Sequence, residues 1–194
     1  TAVYGPGGSF SEDDQCEPVG AYAHSKFEAE RAVQSADRRG LSTTILRFGT
    51  SYGLAPVTRY EAVVNRFALL ASTSRPLTIH GDGTQERPFI HVCDASDIIC
   101  WALVNPEKTG GTTLNAVGVN ASVLDLVTAV KQAVPETDES NTQQDVRSQI
   151  TLNVKNEKIK SLGWCANRTI KKGIKEISNR VRYISQPDHI NTDL

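Results

Sequence analysis

The chain has 194 residues, 39% of them hydrophobic, and 21 basic against 22 acidic side chains leave a net charge of −1. That length builds one core or two small ones, and no block of like charge or platform of interleaved aromatic and basic residues speaks for nucleic acid or an anionic membrane. No apolar run approaches the roughly 20 residues that a bilayer span needs, and the widely spaced Cys16, Cys93, Cys100 and Cys165 read as reduced thiols of a cytoplasmic protein.

In chain order, residues 1–4 read as the end of a buried strand and 5–19 as a loop rich in Gly, Ser, Asp and Glu. A helix is expected from Ala21 to Arg39, stopped by Gly40. The β-branched run Thr43–Phe48 predicts a strand. A second helix, Tyr60–Ala71, would turn Val63, Val64, Phe67, Leu70 and Ala71 inward. Leu77–Ile79 and Phe89–Val92 read as short strands around the turn Gly81-Asp82-Gly83. Asp94 is placed to cap a helix running through Trp101 and Leu103. Thr113–Val117 is a strand, and Ser122 caps a helix carrying Leu124, Val127, Val130 and Val134 that Pro135 ends. Residues 136–144 are polar and expected to be mobile. Ile170, Ile174, Ile177 and Val181 recur at helical spacing, so 168–182 is an amphipathic helix ahead of a polar, loose tail from Ser185. The alternation of strands and helices in the first half predicts an α/β fold with a parallel, doubly wound sheet.

Tyr22 and Lys26 carry the sharpest chemical signal. Four residues apart on a helix, they share one face. By spacing alone the pair is more often an ordinary helix surface. Its chemical use is proton transfer: a phenol is protonated at neutral pH, a fixed cation nearby favours its anion, and the pair becomes a candidate general base toward a hydroxyl group. His80, His91 and His189 have no partner at useful spacing and read as packed or solvent-facing side chains, and no metal site is arguable.

Four motifs occur in order: Val3-Tyr4-Gly5, Tyr22-x-x-Ser25-Lys26, Leu46-Arg47-Phe48 and Gly81-x-Gly83-x-Gln85-x-Arg87-x-Phe89-Ile90-His91-Val92-x-Asp94. Together they resemble the extended short-chain dehydrogenase/reductase family, specifically its nucleotide-sugar epimerases and dehydratases, from Thr1 to about Arg182. The resemblance implies the C-terminal part of a Rossmann-type sheet plus a small α+β substrate-binding domain. Residues 1–54 and about 92–118 would belong to the NAD-binding part, and about 55–91 and 119–194 to the nucleotide-sugar part. Tyr22 would be the base, and Lys26 would hold the nicotinamide ribose. Phe48 and Gly49 match residues that line the nicotinamide. Thr50 stands where many epimerases carry a substrate-contacting Asn. Arg59 and Asn65 match positions facing the nucleotide diphosphate, though a solvated surface is as good a reading of each. Arg87 matches the arginine that meets a phosphate, with Pro88 in place of the usual Asp.

The family's glycine-rich turn for the dinucleotide pyrophosphate does not occur in these residues, and there is no Met. The chain is therefore expected to be a fragment, inactive and without tight NAD binding by itself. The complete protein is expected to use NAD, with NADP open, to act on a nucleotide-diphosphate sugar, and to be a homodimer. Thr1-Ala2 stands where dehydratases of the family carry Asp-Glu and decarboxylating relatives a Glu, so neither acid–base role is available there. The expected activity is that of a nucleotide-sugar epimerase like the UDP-glucose 4-epimerases. The alternatives are an NAD(P)-dependent reductase of the same family and a non-catalytic binding fragment.

Overall fold

The computed structural model describes residues 1–142 and 151–185. A 3₁₀ turn at Ala2–Tyr4 opens the chain. Strand β1 (Gly8–Phe10), helix α1 (Ala21–Asp37), β2 (Thr44–Phe48), β3 (Thr50–Tyr52) and α2 (Val63–Ser72) follow. Then come β4 (Leu77–His80), β5 (Glu86–His91), α3 (Val92–Val104), the short α4 (Pro106–Thr109), β6 (Thr112–Ala116) and β7 (Val119–Ser122). The chain continues through α5 (Val123–Ala133), β8 (Glu139–Thr142), β9 (Leu152–Val154), α6 (Glu157–Ser161) and α7 (Ile170–Ser185).

The chain forms two compact units. The first holds Thr1–Ser51, Gln85–Ala121 and Ile150–Asn167; the second holds Tyr52–Thr84, Ser122–Gln149 and Arg168–Leu194. Gln85–Ala121 lies in the first unit, where β5 is the middle strand of the order β3-β5-β7. The stretch containing β9 and α6 returns to the first unit, because β9 pairs in parallel with β1 and Ile159 of α6 joins the first unit's core.

In the first unit, β2 and β6 pair in parallel from Thr44–Thr112 to Phe48–Ala116. This is the arrangement expected when a helical connection separates the strands. Ile90, Ile98, Leu114, Ala116, Ile159 and Trp164 form its main core. Burying each of the larger aliphatic side chains stabilises the fold by roughly 1.5–3 kcal/mol before entropy is counted. A second cluster joins Tyr4, Val117 and Val154, with Phe10 and Cys16 against it.

In the second unit, α7 packs on α2 and α5. Ile174, Ile177 and Val181 are buried there, as their spacing predicts. Strands β4 and β8 pair in parallel from Leu77–Glu139 to His80–Thr142. Residues 139–142, expected to be mobile, are therefore a strand. Their alternate side chains carry no apolar signal, and only backbone pairing reveals them. Residues 143–144 of that expected loop and the tail beyond Ser185 lie outside the described residues, as does His189.

Other differences have local causes. The opening residues form a 3₁₀ turn instead of a strand, closed by Tyr4 N–H donating to Thr1 O. The polar loop 5–19 contains β1, whose partner β9 lies more than 140 positions away in sequence. His91, not Asp94, caps α3: its Nδ1 accepts from Cys93 N–H at 3.2 Å, while Asp94 is buried in the first turn and accepts from Asn167 N–H. Ser122 caps α5 as expected, in a reciprocal box with Asp125. Leu126 is buried on α5, whereas Leu124 stays 44% exposed. β4 and β5 do not pair with each other.

Candidate functional site

The approach to α1 is set by a tight turn. Val3 and Tyr4 are buried, and Gly5 follows at φ +82°. A Cβ at Gly5 would overlap the carbonyl oxygen of Glu17, so the segment 5–17 closes on itself only with glycine there. Gly20, at φ +85°, then starts α1. Asp37 at the far end accepts from both the backbone and the hydroxyl of Thr43, which anchors the helix to the start of β2.

Tyr22 and Lys26 sit one turn apart on α1, with the Lys26 Nζ 5.5 Å from the centroid of the Tyr22 ring. Tyr22 is 68% exposed. Both line a cavity of about 430 Å³ together with Ala29, Glu30, Val33, Thr1–Val3 and Thr44–Phe48. A hydroxyl and an ammonium thus line one open space, along the whole length of β2.

Beneath this face lies a charged cluster that the sequence reading did not pick out. Arg47 Nε and Nη2 meet both carboxylate oxygens of Glu30 at 2.7–3.1 Å. The two side chains are only 6% and 12% exposed. Arg47 Nη1 also donates to the Tyr4 hydroxyl at 2.8 Å, and the guanidinium lies 4.8 Å from the Tyr4 ring centroid. Tyr4 in turn donates to Asn115 Oδ1 at 2.6 Å. Asn115 donates its backbone N–H to Glu12 and its side-chain amide to Lys155 O. Burial works against the Arg47 charge, but the hydrogen bonds to Glu30 and Tyr4 outweigh it and hold its pKa above the ordinary arginine value. Burial raises the Tyr4 phenol, only partly countered by Arg47. Two signals were available in sequence: a lone Arg inside an apolar strand, and a Glu four residues after Lys26.

The other expected site residues are spread over both units. Phe48 shares the cavity with Tyr22 and Lys26. Gly49 donates its N–H to Ala116 O and lies against the backbone of Pro88 and Phe89, where a Cβ would approach within 3.0 Å. Thr50 is exposed at the start of β3, and Arg87 lies on β5, half-buried, with Nη1 donating to Glu86 O. Neither lines that cavity. Arg59 and Asn65 belong to the second unit. Arg59 is exposed beside Glu61. Asn65 is buried, accepting from Gly53 N–H and donating to Arg59 O, so its amide shapes the 53–59 loop. Among the described residues no cluster of His, Cys, Asp and Glu has the makings of a metal site, and no helix is long and apolar enough to cross a membrane.

A unit of parallel strands and helices of this kind is Rossmann-type. The chain belongs to the NAD dependent epimerase/dehydratase family, whose model matches residues 1–116. A mouse dTDP-D-glucose 4,6-dehydratase is 33% identical over 178 residues, covering 86% of this chain and 49% of the relative. A Bacillus subtilis (strain 168) protein described as an uncharacterised UDP-glucose epimerase is 32% identical over 133 residues, covering 68% of this chain and 42% of its own length. Among solved structures, MoeE5 in complex with UDP-glucose and NAD superposes with a TM-score of 0.75 at 29% identity, covering 95% of this chain and 64% of that one. The chain spans about half the length of the curated relatives it matches.

Proposed function

We propose that the complete protein is a nucleotide-sugar epimerase and that Tyr22 is its base. The observation that carries this reading is the shared cavity: the Tyr22 phenol and Lys26 ammonium face it beside Phe48. The Tyr22 oxygen would take the proton of a sugar hydroxyl and return one after the keto sugar has turned over, inverting the carbon. Lys26 would hold the ribose of the cofactor and favour the phenolate. A hydroxyl and an ammonium one helical turn apart suit a ribose, and Phe48 and Gly49 would flank the nicotinamide. NAD, as bound by MoeE5, would supply acceptance of a hydride from the sugar carbon and its return to the opposite face. Residues 1–54 and about 92–118 would serve the cofactor side, and about 55–91 and 119–194 the nucleotide-sugar side. Thr50, Arg59 and Arg87 would meet the sugar nucleotide, with Asn65 acting through the loop it shapes.

The similarity to a mouse dehydratase favours a second reading, elimination of water from the sugar. Thr1-Ala2 in place of an acid–base pair argues against it. The complete protein, incubated with UDP-, dTDP-, CDP- and GDP-sugars, should yield an inverted sugar with no net change in reduced-nicotinamide absorbance. A 4-keto-6-deoxy product would establish the dehydratase, and steady NADPH oxidation matched to product would establish a reductase.

A further inference from the structure

Lys26 and Glu30 are four residues apart on α1, neighbours on one helical face with opposite charge. Glu30 is the only acidic residue among those lining the cavity that Tyr22 and Lys26 face. A free carboxylate there would draw the Lys26 ammonium one turn along the helix, away from Tyr22. The structure shows the carboxylate engaged elsewhere: both oxygens are bound by Arg47 from β2, with three N–O distances of 2.7–3.1 Å. Lys26 lies over the Tyr22 ring instead.

We propose that Arg47 is a positioning residue for Lys26: by occupying the Glu30 carboxylate, it leaves the ammonium available to Tyr22 and to whatever anion or hydroxyl enters the cavity. The fork of a guanidinium is suited to this, because it covers both oxygens at once while an ammonium covers one. The arrangement is held from behind, since Arg47 also donates to Tyr4 and Tyr4 to Asn115. The other ionisable groups around the cavity and its floor are Tyr22, Tyr4, Cys16 and Glu12. Of these, Glu12 is the carboxylate, and it accepts from Asn115 N–H without lining the cavity, so it does not replace Glu30 as a competitor for Lys26.

The consequence for catalysis rests on the epimerase reading, but the pairing itself is testable without activity. The intact chain would be labelled with acetic anhydride and the rate read at Lys26 by peptide mass spectrometry, against exposed Lys171 as reference. An ammonium held in an ion pair gives up its proton less readily and labels more slowly. Arg47→Met should slow Lys26 by about twofold or more, the scale of a helix-surface ion pair, and Arg47→Met/Glu30→Met should restore the original rate. A purely structural role for Arg47 predicts the opposite sign, because a loosened helix labels faster. Should Arg47→Met not fold, Arg47→Lys carries the test with the same sign, since one carboxylate oxygen is then left uncovered. An equal or faster rate at Lys26 in the single variant, or slow labelling that persists in the double variant, overturns the proposal. In the complete enzyme the single variant should move the pH–rate profile upward and the double should return it, whereas turnover that survives Tyr22→Phe would sink the epimerase reading alone.

Discussion

At the scale of single residues, the site separates side chains that act from those that hold. Tyr22 is largely exposed and makes little packing contribution, so Tyr22→Phe should leave folding free energy within about 0.5 kcal/mol while lowering turnover about 100-fold or more. Denaturant unfolding beside steady-state kinetics checks both halves. Lys26→Ala should slow turnover under the proposed function, because the ammonium beside the Tyr22 ring is lost; unchanged turnover would make Lys26 structural. Arg87 is half-buried, and desolvation lowers its pKa from the ordinary arginine value. Arg87→Ala should weaken sugar-nucleotide binding by about 1.5–3 kcal/mol, read as a raised KM with little change in NAD affinity. An unaltered KM would leave Arg87 a part of β5 with no role in binding. The Tyr22–Lys26 pair was legible from spacing and motif. Arg47 stood in a quoted motif, but its pairing with Glu30 was not legible, because it lies across 17 positions of sequence.

At the scale of elements, α1 and α5 are set up by different means. Helix α1 begins at a glycine with no side-chain cap and holds its place through Asp37 and the Glu30–Arg47 pair. Helix α5 has the reciprocal box: Ser122 Oγ accepts from Asp125 N–H, and the Asp125 carboxylate accepts from Ser122 N–H and Oγ. Ser122→Ala should cost about 1 kcal/mol of stability near neutral pH. The bonds from Ser122 lower the Asp125 pKa from its ordinary value of 3.8. The sign follows from linkage: the stabilisation is present above the unfolded aspartate value and is lost as pH falls through the depressed folded value. The carboxylate is mostly solvated, so this contribution is small. Urea unfolding at pH 7 and at about pH 3 should show the cost of Ser122→Ala shrinking in acid; an equal cost at both would remove the carboxylate from the cap. Local patterning announced α1, α2, α3, α5 and α7, since each carries its own period or cap signal. It did not announce β1, β8 and β9, three or four residues each, whose stability comes from a distant partner strand.

At the scale of the whole molecule, the two units are each assembled from separated stretches of chain. Family membership covers the first 116 residues, and the glycine-rich turn that would bind a dinucleotide pyrophosphate at a helix N-terminus is not among these 194 residues. Calorimetric titration of NAD into this chain by itself should show no saturable binding below the millimolar range, while micromolar binding would mean a phosphate site of another kind. The sequence by itself determined the α/β class, the family and the Tyr22–Lys26 pair, because periodicity, capping residues and ordered motifs are written within short stretches of chain. Tertiary structure alone decided the domain boundary at Gln85, the pairing of β1 with β9 and of β4 with β8, the capping of α3 by His91, and the burial of Arg47 against Glu30. Each of these depends on which distant segment comes to lie alongside, and backbone pairing and charge burial leave no periodic trace in the residues that undergo them.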